Sequence, residues 1–361
     1  MSLRGKGLIT NYFSGLFPHL RSSLDKSRLE LHRTLGAKRV VLEASENELG
    51  KLDDQIDVHE KEAFEPHRIE VRDFPDSKKI HSHLYLARKD LVIHKGWFDF
   101  RTGVAGIGKY ALSQSKTNIA RAGLVMPLPI PETRVVTGLA ICAGMVRWNY
   151  YHWLVEELPA LLRATKLAPE AQVFIGYDAP RFVLDSLNFL QIPFGLKKGS
   201  WRFDALVLAT RNSDIGWPHP ADIKVLLEAF GRPSGPAKAG AVFASRVLAS
   251  RKLTNEEEVS KWVQQFAFTP LLFEQLPFAE QVRIMNACDA VAGTHGAGLA
   301  NMLFMPEESR VVEIVQTFKP CFEILARVLG HDYDRVYADK SWSGRYRGNI
   351  RAIEAALISA K

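Results

Sequence analysis

Past residue 240 the chain alternates between short apolar runs and amphipathic stretches. Ala241–Ala244, Thr269–Phe273, Asp289–Gly293, Arg310–Val315 and Asp334–Tyr337 read as strands. Between them Asn255–Gln265, Phe278–Ala287, Gly296–Phe304 and Pro320–Leu329 carry apolar residues at helical spacing. Strands separated by helices of this length predict βαβ units and a parallel sheet. The preceding half is less regular. Arg39–Leu42, Leu91–His94, Val173–Tyr177 and Leu206–Ala209 read as strands, and Trp153–Thr165 and Arg181–Leu190 as helices. A last helix is predicted over Asn349–Ser359.

The stretch Gly231–Gly240 breaks this rhythm with three glycines and two prolines in ten residues, the punctuation of a linker. The expected organisation is therefore a basic N-terminal segment (1–40), an α/β domain (41–230), the linker (231–240), a second α/β domain (241–340) and a C-terminal helix (341–361). Two domains also suit the length of 361 residues, at roughly 150 residues per domain.

Uncharged runs raise the question of a membrane span. Ala290–Pro306 has 17 residues and Val135–Val146 has 12. The first is interrupted by Gly293-Thr294-His295-Gly296 and Asn301, the second is too short, and a span needs about 20 predominantly apolar residues. Arg4 and Lys6 are followed by no continuous apolar stretch, so a secretory signal is not expected. Three cysteines without a C-x-x-C pair fit reduced thiols and a cytoplasmic location, and no N-x-S/T sequon occurs.

The net charge of +7 is unevenly placed: residues 1–40 carry a net +6 and residues 43–74 a net −7. Ile9, Phe13, Leu16, Leu20, Leu24 and Leu31 recur near helical spacing with Arg21, Lys26, Arg28 and Arg33 between them. Residues 1–35 could thus lie on an anionic inner membrane face, although packing on the domain or on a second copy in a homo-oligomer is the commoner fate of such a helix. No basic run interleaved with aromatics and no zinc-finger spacing points to nucleic acid.

Four segments carry candidate chemistry. In Asp289–Phe304 an apolar strand ends in Thr294-His295, and Gly296-Ala297-Gly298 opens a helix containing Asn301. Ligands of open parallel sheets sit at the carboxyl ends of strands, and a helix N-terminus favours anions. The glycines would let a diphosphate approach the backbone, although a tight strand-to-helix turn needs glycine too. Arg246, Arg251 and Lys252 follow the first strand of the same domain and could clamp phosphate, or form a solvated loop. In Asn149-Tyr150-Tyr151-His152-Trp153-Leu154-Val155-Glu156, His152 and Glu156 are four apart on one helix face. A carboxylate so placed can hold an imidazole in the tautomer that a general base needs, with Tyr150 and Trp153 as platforms for sugar. Glu313, near the end of its strand, could take ribose hydroxyls.

These segments occur together and in order. N-Y-Y-H-W-L-V-E-x-L-P, S-R-x-x-x-S-R-K-x-x-N-E-E and G-T-H-G-A-G-L-A-N-M-L-F-M-P-x-x-S-x-V-V-E-I resemble the glycosyltransferase family 61 pattern over Asn149–Glu313, with an echo in Pro320–Tyr333. Residues 1–90 carry no feature of it. The resemblance implies a GT-B-like architecture of two Rossmann-like parallel-sheet domains facing a cleft. It implies metal-independent, inverting transfer from a UDP-linked nucleotide-sugar to a hydroxyl of a glycan or lipid-linked glycan in bacterial surface or capsular polysaccharide synthesis, without a further cofactor. It places Arg246, Arg251, Lys252, Thr294, His295, Gly296, Ala297, Gly298, Asn301 and Glu313 on the donor side, Asn149, Tyr150 and Trp153 on the acceptor side, and His152 and Glu156 in catalysis. Asp332-Tyr333-Asp334 matches the D-x-D of metal-dependent transferases but reads as an exposed turn. Rival expectations are a pyruvyl- or phosphotransferase on the same fold and a non-catalytic nucleotide- or glycan-binding scaffold.

Overall fold

The computed structural model describes residues 56–59, 90–101, 103–107, 110–112, 122–124, 134–144, 148–208, 212, 216–232 and 240–358. The basic segment 1–40, the strand expected at Arg39–Leu42 and residues 233–239 of the expected linker lie outside the described residues.

The first half builds a ten-stranded sheet: β1 (Ile56–His59), β2 (Asp90–His94), β3 (Gly96–Asp99), β4 (Val104–Ile107), β5 (Tyr110–Leu112), β6 (Ala122–Leu124), β7 (Val135–Cys142), β8 (Gln172–Gly176), β9 (Phe194–Lys197) and β10 (Ser200–Leu208). The expectation of a purely parallel sheet here needs correcting. Strands β10-β7-β8-β9 run parallel, but β3-β4-β5-β6 form an antiparallel meander against β10, and β2 and β1 add on antiparallel. Within β3-β4-β5-β6 the connections are too short for a crossover helix, which makes these neighbours antiparallel. The pairing of β7 with β10 shifts register between Phe203 and Ala205. Gly138 sits opposite that shift with φ +82°, a backbone conformation open to glycine, and its N–H donates to Asp204 Oδ2 at 3.0 Å.

The second half is a parallel sheet of five strands in the order β12-β11-β13-β14-β15, built from β11 (Gly240–Ala244), β12 (Phe268–Leu271), β13 (Cys288–Thr294), β14 (Arg310–Val315) and β15 (Asp332–Tyr337). Register pairs Ala244 with Gly293 and Thr294 with Ile314, so these strands end at a common carboxyl edge. A small hairpin, β16 (Asp339–Lys340) with β17 (Tyr346–Arg347), follows.

Helices α1 (Tyr150–His152), α2 (Leu158–Leu167), α3 (Arg181–Phe189) and α4 (Pro220–Phe230) belong to the first half; α5 (Glu256–Trp262), α6 (Phe278–Met285), α7 (Cys321–Leu329) and α8 (Ile350–Ile358) to the second. The segment after β13 winds as a 3₁₀-helix, Ala297–Phe304. One buried apolar cluster runs through both halves, including Trp153, Leu158 and Leu187 from the first and Phe278, Leu299 and Phe304 from the second. Where the halves meet, the rings of Phe189, Phe230, Phe278 and Phe304, on α3, α4, α6 and the 3₁₀-helix, interlock at centroid spacings of 5.1–5.9 Å, from buried Phe278 and Phe304 out to exposed Phe189. Among the described residues no helix is long and apolar enough to cross a membrane.

Candidate active site

The site begins where α1 enters the first half. Asn149 caps the helix, its Oδ1 accepting from His152 N at 3.3 Å. The next turn, Trp153–Glu157, is π-helical: Leu158 N–H reaches back five residues to Trp153 O. Pro159, beside it, has no N–H to give to an α-ladder, and the wider turn accommodates that loss. His152 Nδ1 meets Glu156 Oε1 at 3.0 Å. Glu156 is buried, and the same oxygen accepts Gly216 N–H at 2.6 Å. The carboxylate is thus fixed from two sides, and His152, part-exposed, keeps Nε2 as its unpartnered ring nitrogen.

Its neighbours are structural. Trp153 is wholly buried and donates its indole N–H to Ser186 Oγ at 2.9 Å, so it is no sugar platform. Asn149 acts as a cap. Tyr150 donates its hydroxyl across to Asn301 Oδ1 at 2.5 Å and packs edge-on against Phe182, leaving its ring at a cavity wall. Burial pushes the Tyr150 and Tyr151 phenols up, keeping both neutral.

The other side of the site is the carboxyl edge of the five-stranded sheet. Glu256, buried at the start of α5, organises it: Oε1 accepts Arg246 N–H at 2.8 Å, and Oε2 accepts Leu253 N–H and the Thr294 hydroxyl, each at 3.2 Å. Arg246 then lays its guanidinium over the strand-to-helix turn, where Nη1 donates to the His295 carbonyl. Burial, then the nearby Arg251 charge, pull this guanidinium below its usual range. A Cβ at Gly296 would collide with the Arg246 guanidinium, and one at Gly298 would press on Phe273 at 3.3 Å. At both glycines a Cβ would meet a protein side chain, as a tight strand-to-helix turn requires, and both glycines also line a cavity.

His295 Nδ1 is bonded to Glu313 Oε1, and Tyr333 donates its hydroxyl to Glu313 Oε2 at 2.5 Å. Glu313 is fully buried with both oxygens engaged, so the expected ribose contact is corrected: it orients His295. Thr294 is buried with its hydroxyl on Glu256, and Asn301 is buried between Tyr150 and Gln281, so neither offers a ligand its side chain. Lys252 Nζ donates to the Val247 carbonyl at 2.9 Å and braces its own loop. Arg251 and Ala297 line cavities, as does His295.

Two cavities open at this edge. One, of about 490 Å³, lies between the halves and is walled by Tyr150, Phe182, Arg246, Phe273, Gly296 and Ala297, among others. The other, of about 680 Å³, is walled by Arg251, His295, Lys319, Arg345 and Tyr346, among others. Arg246 lines the first and bonds the carbonyl of His295, which lines the second. The two histidines flank one aromatic pair: Tyr151 stacks edge-on to His152 at 5.4 Å and to Phe322 at 5.3 Å, and Phe322 to His295 at 5.1 Å. Glu256, Tyr151, Phe322 and Tyr333 were not anticipated as site residues. The sequence signal for Glu256 was its place in S-R-x-x-x-S-R-K-x-x-N-E-E; the aromatics had none beyond apolar periodicity.

Asp332 and Asp334 begin β15 at the amino edge, opposite the cavities, rather than forming a turn. Arg310 pairs with Asp334 at 2.5 Å and Asp332 at 3.6 Å. Among the described residues no group of three or more His, Cys, Asp or Glu side chains could hold a metal ion.

Residues 150–312 match the family model Glycosyltransferase 61. Among curated proteins, the EGF domain-specific O-linked N-acetylglucosamine transferase of Bos taurus is 32% identical over 163 residues, 44% of this chain and 31% of that protein. Its Drosophila melanogaster counterpart is 32% identical over 95 residues, 25% of this chain and 18% of that protein. The chain thus spans less than a third of the length of these relatives. Among solved structures, the bacterial iron-containing dodecameric glycosyltransferase TibC from enterotoxigenic E. coli aligns over 72% of this chain and 82% of its own at 10% identity and a TM-score of 0.30. The ordered motifs and the match to the Glycosyltransferase 61 model coincide over residues 150–312, a little under half of the chain.

Proposed function

We propose that the protein is a glycosyltransferase of GT-B-like arrangement. It moves a sugar from a nucleotide-sugar, UDP-linked, to a hydroxyl of a glycan acceptor, with inversion and without a metal. The observation that carries this reading is the His152–Glu156 pair: Nδ1 is held at 3.0 Å by a buried carboxylate, and Nε2 is left for an acceptor proton. As the acceptor oxygen attacks the anomeric carbon, His152 takes its proton and Glu156 balances the imidazolium that forms. The nucleoside diphosphate leaves from the opposite face of that carbon, towards the carboxyl edge of the second sheet. There Arg246, Arg251 and His295 oppose its growing charge from positions set before reaction, which is where such groups contribute most. Inversion follows from this single displacement between groups on the two halves.

The relatives transfer N-acetylglucosamine, so UDP-N-acetylglucosamine heads the donor panel. Nucleotide release is measured for each donor with polysaccharide intermediates and serine- or threonine-bearing peptides as acceptors. Acceptor-dependent UDP release is the expected result. Thermal stabilisation by phosphoenolpyruvate and by no nucleotide would replace this reading with pyruvyl transfer.

A further inference from the structure

The larger cavity holds an unbalanced charge. Arg251, Lys319 and Arg345 line it, from the β11–α5 loop, the β14–α7 loop and the β16–β17 hairpin, and its lining contains no Asp or Glu. None of these three side chains makes a hydrogen bond or ion pair with a described residue. Other cations are paired: Arg310 with Asp332 and Asp334, Arg327 with Glu323, Arg283 with Glu280, Arg232 with Glu307. His295, held by Glu313 through Nδ1, lines the same cavity.

The walls are tied together rather than merely adjacent. Thr254 N–H donates to Tyr346 O at 2.8 Å, Gln316 Nε2 donates to Arg251 O at 3.3 Å, and the Thr317 and Tyr346 hydroxyls meet at 3.3 Å. These bonds tie together the loops that carry the three cations, and Arg251, Lys319 and Arg345, all exposed, place positive charge around one volume. A single carboxylate would neutralise one of them; a phosphate or diphosphate, with several charged oxygens, matches the set. The volume of about 680 Å³ lies within the range of about 300–1,000 Å³ typical of small-molecule sites.

We infer that this cavity is a phosphate-binding site in which Lys319 and Arg345 join Arg251 as ligands. The phosphate comes either from the donor, deepening the function proposed above, or from a phosphorylated acceptor. The hairpin that supplies Arg345 lies beyond the segment 150–312 matched by the family.

Calorimetry with inorganic pyrophosphate tests this on the full chain, comparing wild type with Lys319→Ala, Arg345→Ala and, as a control for loss of charge alone, Arg283→Ala on exposed α6. Pyrophosphate should bind the wild type and Arg283→Ala alike, and each cavity variant about tenfold or more weakly. Competition then identifies the source. If UDP displaces pyrophosphate and the variants also lose UDP affinity, the donor supplies the phosphate. If the two bind together and UDP affinity is unchanged, the acceptor does. Pyrophosphate that binds the cavity variants as it binds wild type, or binds none of the proteins, overturns the proposal. Binding is read without sugar transfer, so a silent transferase assay would fault the proposed function and leave this site standing.

Discussion

The Tyr150 hydroxyl donates to Asn301 Oδ1 at 2.5 Å, joining the helix that carries His152 to the 3₁₀-helix that follows His295. Asn301 is fully buried, and its amide donates onward to Gln281 Oε1 at 3.0 Å. Tyr150→Phe leaves Asn301 Oδ1 without its donor, at a cost of about 1–3 kcal/mol. Asn301→Ala strands both Tyr150 and Gln281 and should cost more. Thermal denaturation should rank the melting temperatures wild type, Tyr150→Phe, Asn301→Ala in descending order; a neutral Asn301→Ala would show that the junction holds without this bond.

The two sides of the site should fail differently. Arg246→Ala removes a guanidinium from the nucleotide side and the brace over the His295 carbonyl, so UDP affinity and transfer should fall together. His152→Ala should leave UDP affinity near wild type and lower transfer by about 10²–10⁴. Glu156→Gln should lower it less. Calorimetric UDP binding beside turnover for each variant separates these outcomes, and full turnover by His152→Ala would make His152 structural.

Metal dependence is a sharp test of the arrangement. Asp332 and Asp334 pair with Arg310 at the edge of the sheet away from the cavities. Transfer should therefore survive EDTA, and Asp334→Asn should change stability rather than turnover. Activity lost to EDTA and restored by Mn²⁺ would contradict this.

Acid should destabilise the protein through His331. Its Nε2 donates to the Met302 carbonyl at 3.0 Å, and burial lowers the imidazole from 6.5 to about 4. The native state therefore binds fewer protons than the unfolded chain between those two values. Stability contributed by the neutral ring is full above pH 6.5 and declines as pH falls towards 4, by about 1.4 kcal/mol per pH unit at most. His331→Gln should flatten the fall in melting temperature over that window. An unchanged slope would place the acid sensitivity elsewhere.

Much of the second half was legible in the chain. The strand at Arg310–Val315 coincides with β14, and α5, α6 and α7 fall within a few residues of the periodic stretches that predict them. Alternation of buried strand and amphipathic helix is a local signal, and a parallel sheet is its usual consequence. The first half obscured its plan because its strands are short and its pairing is distant. β7, central to the sheet, lies in the uncharged run Val135–Val146, too short to suggest a membrane and lacking the period of a half-buried strand. The His152–Glu156 spacing was readable because the partners lie one turn apart. The roles of Gly296, Thr294, Asn301 and Glu313 were not, because the groups that fill or engage them — Arg246, Glu256, Tyr150 and Tyr333 — come from other elements.

The ring cluster of Phe189, Phe230, Phe278 and Phe304 bears on how this protein can be engineered and how it can have diversified. A half made without its counterpart would present that aromatic face to water and aggregate. Whole halves therefore cannot be exchanged between relatives unless α3, α4, α6 and the 3₁₀-helix travel as a matched set. New specificity has an easier route through the loops at the sheet edge, which can be replaced without disturbing the seam.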